Sequence, residues 1–139
     1  MRIVRWVTAL ALCAIAAPGV ARAAVTQDSF LLRNTADLVD LCTADQSDPT
    51  YTPAVNFCHG FALGVFRVLN EEDVARRRRV LFCPKDPTPS RNEAIAAFVA
   101  WVKANPAQMD ALPADSIAAY LHETYPCPHP AAAARRTHP

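Results

Sequence analysis

The sequence predicts an all-α fold, a compact four-helix domain held together by two disulfide bonds. Alanine is abundant and alternating β-branched runs are scarce, which favours helices over strands. Prolines separate the amphipathic segments, so the connections between helices are expected to be short. Four cysteines, Cys42, Cys58, Cys83 and Cys127, follow a segment typical of export signals, and thiols pair in the oxidising compartments that exported chains reach.

Residues 1–23 have the three parts of a secretory signal peptide. A basic start precedes an apolar run over residues 6–17, and the Ala-Arg-Ala sequence at 21–23 is an A-x-A cleavage site. The apolar run is too short for a stable membrane-spanning helix, and no second run follows it. We therefore expect cleavage near Ala23 and a mature chain in the periplasm or a similar exported location. A lipoprotein box ending at Cys13 is the weaker interpretation, because a bulky leucine precedes that cysteine.

The mature chain is long enough for one domain with a modest hydrophobic core. Removing 23 residues from 139 leaves 116, and residues 24–128 are expected to form the domain. Three of the 14 Lys and Arg residues lie in the signal, so 11 basic residues face 13 acidic ones, a formal charge of −2. General nucleic-acid binding needs a basic excess, so that function class is excluded. Residues 129–139 carry Pro, Ala, Arg and His without an apolar face, so we expect a disordered tail.

The first two helices are indicated by capping residues and by the spacing of apolar positions. Asn34 or Thr35 can cap a helix that runs to about Ala44, because both side chains accept backbone N–H bonds at a helix start. Pro53 suits the first turn of the second helix. The apolar residues of the second helix are one, three and four positions apart, so this helix is strongly amphipathic. They are Phe57, Cys58, Phe61, Val65 and Leu69.

The third and fourth helices are marked by prolines at their ends. Thr88 is expected to cap the third helix and Pro89 to open it, and Asn105-Pro106 ends it. The apolar residues of the third helix recur at i, i+3, i+4 and i+7, as Ile95, Phe98, Val99 and Val102. The fourth helix begins near Pro113 and uses Ile117, Tyr120 and Leu121 as its apolar face.

The arrangement of the four helices favours one pairing of the cysteines. Four cysteines allow three connectivities, and the sequence alone does not choose among them. Short connections make neighbouring helices antiparallel, which brings the end of the first helix near the start of the second and favours Cys42–Cys58. The same reasoning favours Cys83–Cys127. A metal site or redox pair is the weaker interpretation, because the cysteines are scattered without a C-x-x-C pair, so we expect no cofactor.

Two glycines, Gly60 and Gly64, lie one turn apart on one face of the second helix. Glycine inside a helix costs about 1 kcal/mol relative to alanine, so two in one helix need a structural reason. We expect close packing of another helix backbone against them within the domain. The alternative is a groove that accepts a partner or a second subunit.

A longer pattern runs through these elements and carries a resemblance. Its parts are Cys58-His59-Gly60-Phe61-Ala62-Leu63-Gly64, then Phe82-Cys83-Pro84, then Asn105-Pro106, then Tyr125-Pro126-Cys127. The pattern resembles the Rap/Tai family of immunity proteins from bacterial type VI secretion systems, over about residues 30–128. The resemblance implies a small exported helical protein that binds and blocks a secreted peptidoglycan amidase in the periplasm. Family members are often dimers, so the resemblance also makes a homodimer a possible partner arrangement.

Two segments could present side chains to such an amidase. Residues 104–112 join the last two helices and carry Asn105, Gln108, Met109 and Asp110. Met109 is apolar in a short loop and could anchor in a cleft, although it could equally pack on the core. The second segment carries Arg76, Arg77, Arg78 and Arg79, which could steer an acidic partner. The alternative for these arginines is a solvated extension of the second helix, with ion pairs to Glu72 and Asp73.

No recognisable group of residues supports catalysis. His59 lies beside Cys58, which is expected to be oxidised, and His122 suits the negative end of its helix. The serines have no visible partner base, so we expect a binding protein and not an enzyme. The alternative functions are a small helical periplasmic chaperone of the acid-stress type, or an envelope binding domain of related fold. Few titratable groups fall at predicted core positions, which disfavours an acid switch.

Overall fold

The computed structural model of the protein describes residues 25–75 and 82–128, with side chains over 25–71 and 82–128. The helices are α1 (Thr35–Cys42), α2 (Tyr51–Ala75), α3 (Arg91–Ala104) and α4 (Pro113–Thr124), with two 3-10 helices, η1 (Gln27–Leu31) and η2 (Pro106–Asp110). Within these ranges there is no strand, so the predicted all-α, four-helix fold is confirmed. The predicted signal peptide, the predicted tail and Arg76 to Arg79 lie outside the described residues.

The shortest of the four α-helices, α1, lies at the centre of the described fold. It contacts α2, α3 and α4. Leu38 and Leu41 of α1 are fully buried, and Cys58, Phe82 and Val102 join them in one apolar core. Further side chains from all four helices complete this core: Val39, Ala54, Ile95, Phe98, Val99, Ile117, Tyr120 and Leu121. Burial of this apolar surface is the main term that stabilises the domain, since apolar area removed from water contributes roughly 25 cal/mol per Å².

The start of α1 is fixed by a cap and an ion pair. Of the two predicted caps, Asn34 is the one used, and its side chain accepts the backbone N–H of Asp37 at 3.0 Å. The Asp37 carboxylate accepts the backbone N–H of Arg33 at 3.0 Å and its guanidinium Nε at 3.2 Å. Burial raises the pKa of Asp40, and the nearby Asp37 carboxylate raises it further. Asp37 therefore belongs to the helix start and its ion pair, whereas Asp40 lies further along the helix.

The start of α3 differs from the prediction at Thr88 and Pro89. Ser90 is the N-cap, and the helix begins at Arg91. Ser90 and Glu93 form a reciprocal capping box, in which the Ser90 hydroxyl accepts the Glu93 N–H and the Glu93 carboxylate accepts the Ser90 N–H at 2.8 Å. The Ser90–Glu93 pair gives a partner to two backbone N–H groups at the start of the helix. Thr88 with Pro89 would give a partner to fewer of these N–H groups. Thr88 and Pro89 precede the helix, after a cis Asp86–Pro87 bond.

Replacing Ser90 by alanine is expected to raise the pKa of Glu93 toward its ordinary value. Hydrogen bonds from the Ser90 side chain and backbone lower the pKa of Glu93, and the substitution removes the first of these. In the wild type, the Ser90–Glu93 hydrogen bonds therefore stabilise the folded state at pH values above the ordinary glutamate pKa. This stabilisation is lost as the pH falls through the lower pKa that Glu93 has in the folded state. A carbon-detected NMR titration of the Glu93 carboxyl group in both proteins measures the change. Equal pKa values in both would contradict the expectation.

The predicted apolar face of α2 is wrong at Phe57. Cys58 and Ala54 point into the core and are fully buried, whereas Phe57 is 39% exposed. The Phe57 ring packs edge-on against Phe30 of η1, with the ring centroids 5.5 Å apart. One residue along a helix is a rotation of about 100°, so Phe57 and Cys58 cannot both face the core centre.

Both disulfide pairs have the predicted connectivity. Cys42, the last residue of α1, is bonded to Cys58 in α2, and the Cα atoms are 5.2 Å apart. Cys83, before α3, is bonded to Cys127, after α4, with a Cα separation of 4.9 Å. The backbone N–H of Cys83 also donates to the carbonyl of Tyr125 at 2.7 Å. The first disulfide therefore joins two successive helices, and the second joins the segment before α3 to the segment after α4.

Candidate partner-binding site

The connection between α3 and α4 is ordered over its whole length. Residues 104–112 were expected to be a loop, but they contain the 3-10 helix η2. Asn105 closes the end of α3, because its side-chain Nδ2 donates to the Trp101 carbonyl at 2.9 Å and its backbone N–H donates to Val102. Pro106 then opens η2. The connection is therefore a structured edge of the domain.

A buried hydrogen-bond relay attaches this connection to α1 and α4. The Thr35 hydroxyl donates to the Ser116 hydroxyl at 2.8 Å, and the Ser116 hydroxyl donates to the side-chain Oε1 of Gln108 at 2.9 Å. The backbone N–H of Thr35 donates to the Ala111 carbonyl at 2.9 Å. Thr35 and Ser116 are both fully buried, so this relay satisfies polar groups that cannot reach water.

Replacing Ser116 by alanine is expected to lower the free energy of unfolding by about 1 to 2 kcal/mol. The side-chain Oε1 of Gln108 loses its donor, and the Thr35 hydroxyl keeps only the Ala111 carbonyl as a partner. Hydrogen exchange of the backbone amides in η2 should accelerate, since the relay holds η2 against α1. Urea denaturation and exchange mass spectrometry measure the two effects. Ser47→Ala, in an exposed turn, is the matched control and should change neither. A Ser116→Ala variant indistinguishable from this control would contradict the proposed relay.

The exposed side chains on this edge differ from those predicted. Asp110 is exposed, but Asn105 and Gln108 use their side chains inside the domain, and Met109 is half-buried against the core. Leu112, two residues after Asp110, is 60% exposed. Sequence reasoning missed Leu112 as an exposed apolar residue. It also missed Thr35 and Ser116 as the residues that hold the edge.

The two glycines of α2 are not packed against a described part of the chain. Gly60 and Gly64 are exposed, and a Cβ built on either would meet nothing within 4 Å. The prediction of close packing within the domain is therefore wrong for the part of the chain that the structure describes. Phe57 and Val68 lie on the same side of α2 at helical spacing, and we call these four residues the glycine face. A homodimer through the glycine face stays a prediction.

A family model of the Rap1a immunity proteins matches residues 34–127. The chain belongs to this family. The match begins at the N-cap of α1 and ends at the second cysteine of the Cys83–Cys127 disulfide, so it covers both disulfides and all four α-helices. Searches of curated proteins and of solved structures each found no match.

Membership of the Rap1a family implies a non-enzymatic role in binding a partner effector protein. His59 is half-buried in α2 beside the disulfide-bonded Cys58, and His122 is exposed in the last turn of α4. Burial raises the pKa of the Tyr120 phenol, and the neighbouring Tyr125 adds to the shift, so Tyr120 is a neutral core residue.

Residues 25–75 and 82–128 contain no group of three or more potential metal ligands. None of their helices is both long and apolar enough to span a membrane.

Proposed function

We propose that the protein is an exported immunity protein that binds a peptidoglycan amidase effector of a type VI secretion system and blocks its substrate cleft. The family match over residues 34–127 is the observation that carries this proposal. The two disulfides support export, because such bonds persist in oxidising compartments and are rare in the cytosol.

We propose the α3–α4 connection, residues 104–112, as the surface that enters the amidase cleft. Asp110 and Leu112 are exposed there, and Met109 is partly accessible beside them. The side chains of Asn105 and Gln108 form hydrogen bonds within the domain, and these bonds hold the same surface in place. A segment that is already ordered loses less conformational entropy on binding, which favours tight association. Arg76 to Arg79 remain a second proposed contact segment.

We propose that the protein inhibits the amidase by occupying its substrate cleft and that it catalyses no reaction itself. Leu112 would supply apolar contact area in the cleft, and Asp110 would supply a charge that sets orientation. The buried relay through Thr35 and Ser116 would keep both side chains in one position, because it holds η2 against the start of α1.

An affinity pull-down from the native envelope tests the proposal, with the mature oxidised domain as bait and mass spectrometry as the readout. We expect a single small cell-wall hydrolase that stays bound through stringent washing. A spread of unrelated envelope proteins would contradict immunity and would favour the chaperone alternative. The bait reduced before use is the matched control, since loss of the disulfides should release the partner.

A further inference from the structure

An apolar cavity lies between α2, the segment before α3, α3 and α4, away from the α3–α4 connection. Its volume is about 250 Å³. Aromatic rings form much of its wall, and they include Phe66, Phe82, Phe98, Tyr120 and Tyr125. The remaining wall is mainly aliphatic, so almost the whole lining is apolar. A cavity of this size accepts a single hydrocarbon chain and is too small for a two-chain lipid.

Among the described residues, the charged side chain that lines the cavity is the cationic Arg91. Arg91 lines it, is exposed, and makes no ion pair or hydrogen bond with a described residue. Lys85 adds a second cation, with its ammonium 5.8 Å from the centroid of the Tyr125 ring. Among the described residues that line the cavity there is no Asp or Glu. Glu93, the nearest carboxylate along α3, is bonded to Ser90 in the capping box.

We propose that this cavity binds a medium-length fatty acid, with the alkyl chain inside and the carboxylate at Arg91. The apolar wall would take the chain, because each buried methylene removes apolar surface from water. The Arg91 guanidinium would take the carboxylate, and no carboxylate among the described lining residues opposes it. This site is independent of the proposed amidase contact, since the residues that carry the two sites do not overlap.

The test is a titration of the mature oxidised protein with hexanoate, octanoate and decanoate, each below its micelle concentration, by calorimetry. We expect affinity to rise about 15-fold for each added pair of carbons until the cavity is full. Alkyl trimethylammonium ions of matched length should bind more weakly than the carboxylates. Methyl NMR signals of Ile95, Ile117 and Leu121, which line the cavity, should shift on binding.

Two pairs of variants distinguish binding of the fatty acid in the cavity from its adsorption to the protein surface. Arg91→Gln should weaken carboxylate binding about twofold to fivefold, since Arg91 is exposed, whereas Lys103→Gln on the same helix should not. Ala94→Leu fills the cavity and should weaken binding at least tenfold, whereas Ala97→Leu, exposed and outside the lining, should not. A melting curve for each variant confirms folding. Affinity independent of chain length, equal binding of the cationic series, or shifts confined to the glycine face would each overturn the proposal.

Discussion

Replacing Cys83 and Cys127 together by alanine is expected to lower the free energy of unfolding by about 4 kcal/mol. This disulfide closes 44 residues of chain, and the entropy that such a closure removes from the unfolded state sets this magnitude. Domains of this size are stabilised by only about 5 to 15 kcal/mol, so the variant should be close to unfolded at physiological temperature. Urea denaturation of the oxidised wild type and of the double variant measures the difference.

The Cys42–Cys58 pair is the matched comparison. It closes 16 residues, which predicts a loss of about 3 kcal/mol from chain entropy alone. Cys58 is fully buried, so its replacement by alanine adds a cavity term to that loss. Both cysteines of a pair must be replaced, because a single remaining thiol could pair between molecules. A loss below about 1 kcal/mol for the Cys83–Cys127 pair would contradict a stabilising role.

Combining Asp110→Arg with Leu112→Asp is expected to weaken binding of the amidase at least about 30-fold, which corresponds to about 2 kcal/mol. Leu112 would lose its apolar contact area, and Asp110 would carry the opposite charge. Both side chains are exposed, so the fold should be unaffected. Calorimetry with the amidase recovered in the pull-down measures the affinity.

The control for this variant lies at the other end of α4. Glu123→Arg reverses an exposed charge in the last turn and should leave the affinity unchanged. If the control weakens binding as much as the connection variant does, the contact surface is elsewhere. Unchanged affinity in the connection variant would assign the contact to another surface, such as the segment with Arg76 to Arg79.

Local signals in the sequence were sufficient for the existence and order of the four α-helices, and the expected packing of neighbouring helices predicted the disulfides. Asn34 caps α1 because its side chain reaches a backbone N–H three residues away. Pro113 opens α4 because its missing N–H is one that a helix start leaves unpaired anyway. The disulfide pairing followed from antiparallel neighbours, since the joined ends meet in space.

The sequence-based predictions were wrong where local signals competed for the start of a helix, or where contacts between distant parts of the chain determined the structure. At the start of α3, Thr88 with Pro89 was the predicted start, but the reciprocal bond with Glu93 makes Ser90 the N-cap. Thr35 and Ser116 are 81 residues apart in the chain, so no local pattern could show that their hydroxyls meet. The glycines were expected to admit a close backbone, but α2 is a long helix whose exposed side carries them.

The most direct test of immunity is a titration of peptidoglycan hydrolysis by the recovered amidase with the oxidised mature protein. If the account is correct, hydrolysis falls linearly to zero as the protein reaches equimolar concentration, since occlusion is stoichiometric. The connection variant should need a large excess for the same effect. Full hydrolytic activity in the presence of excess folded wild-type protein would contradict the account.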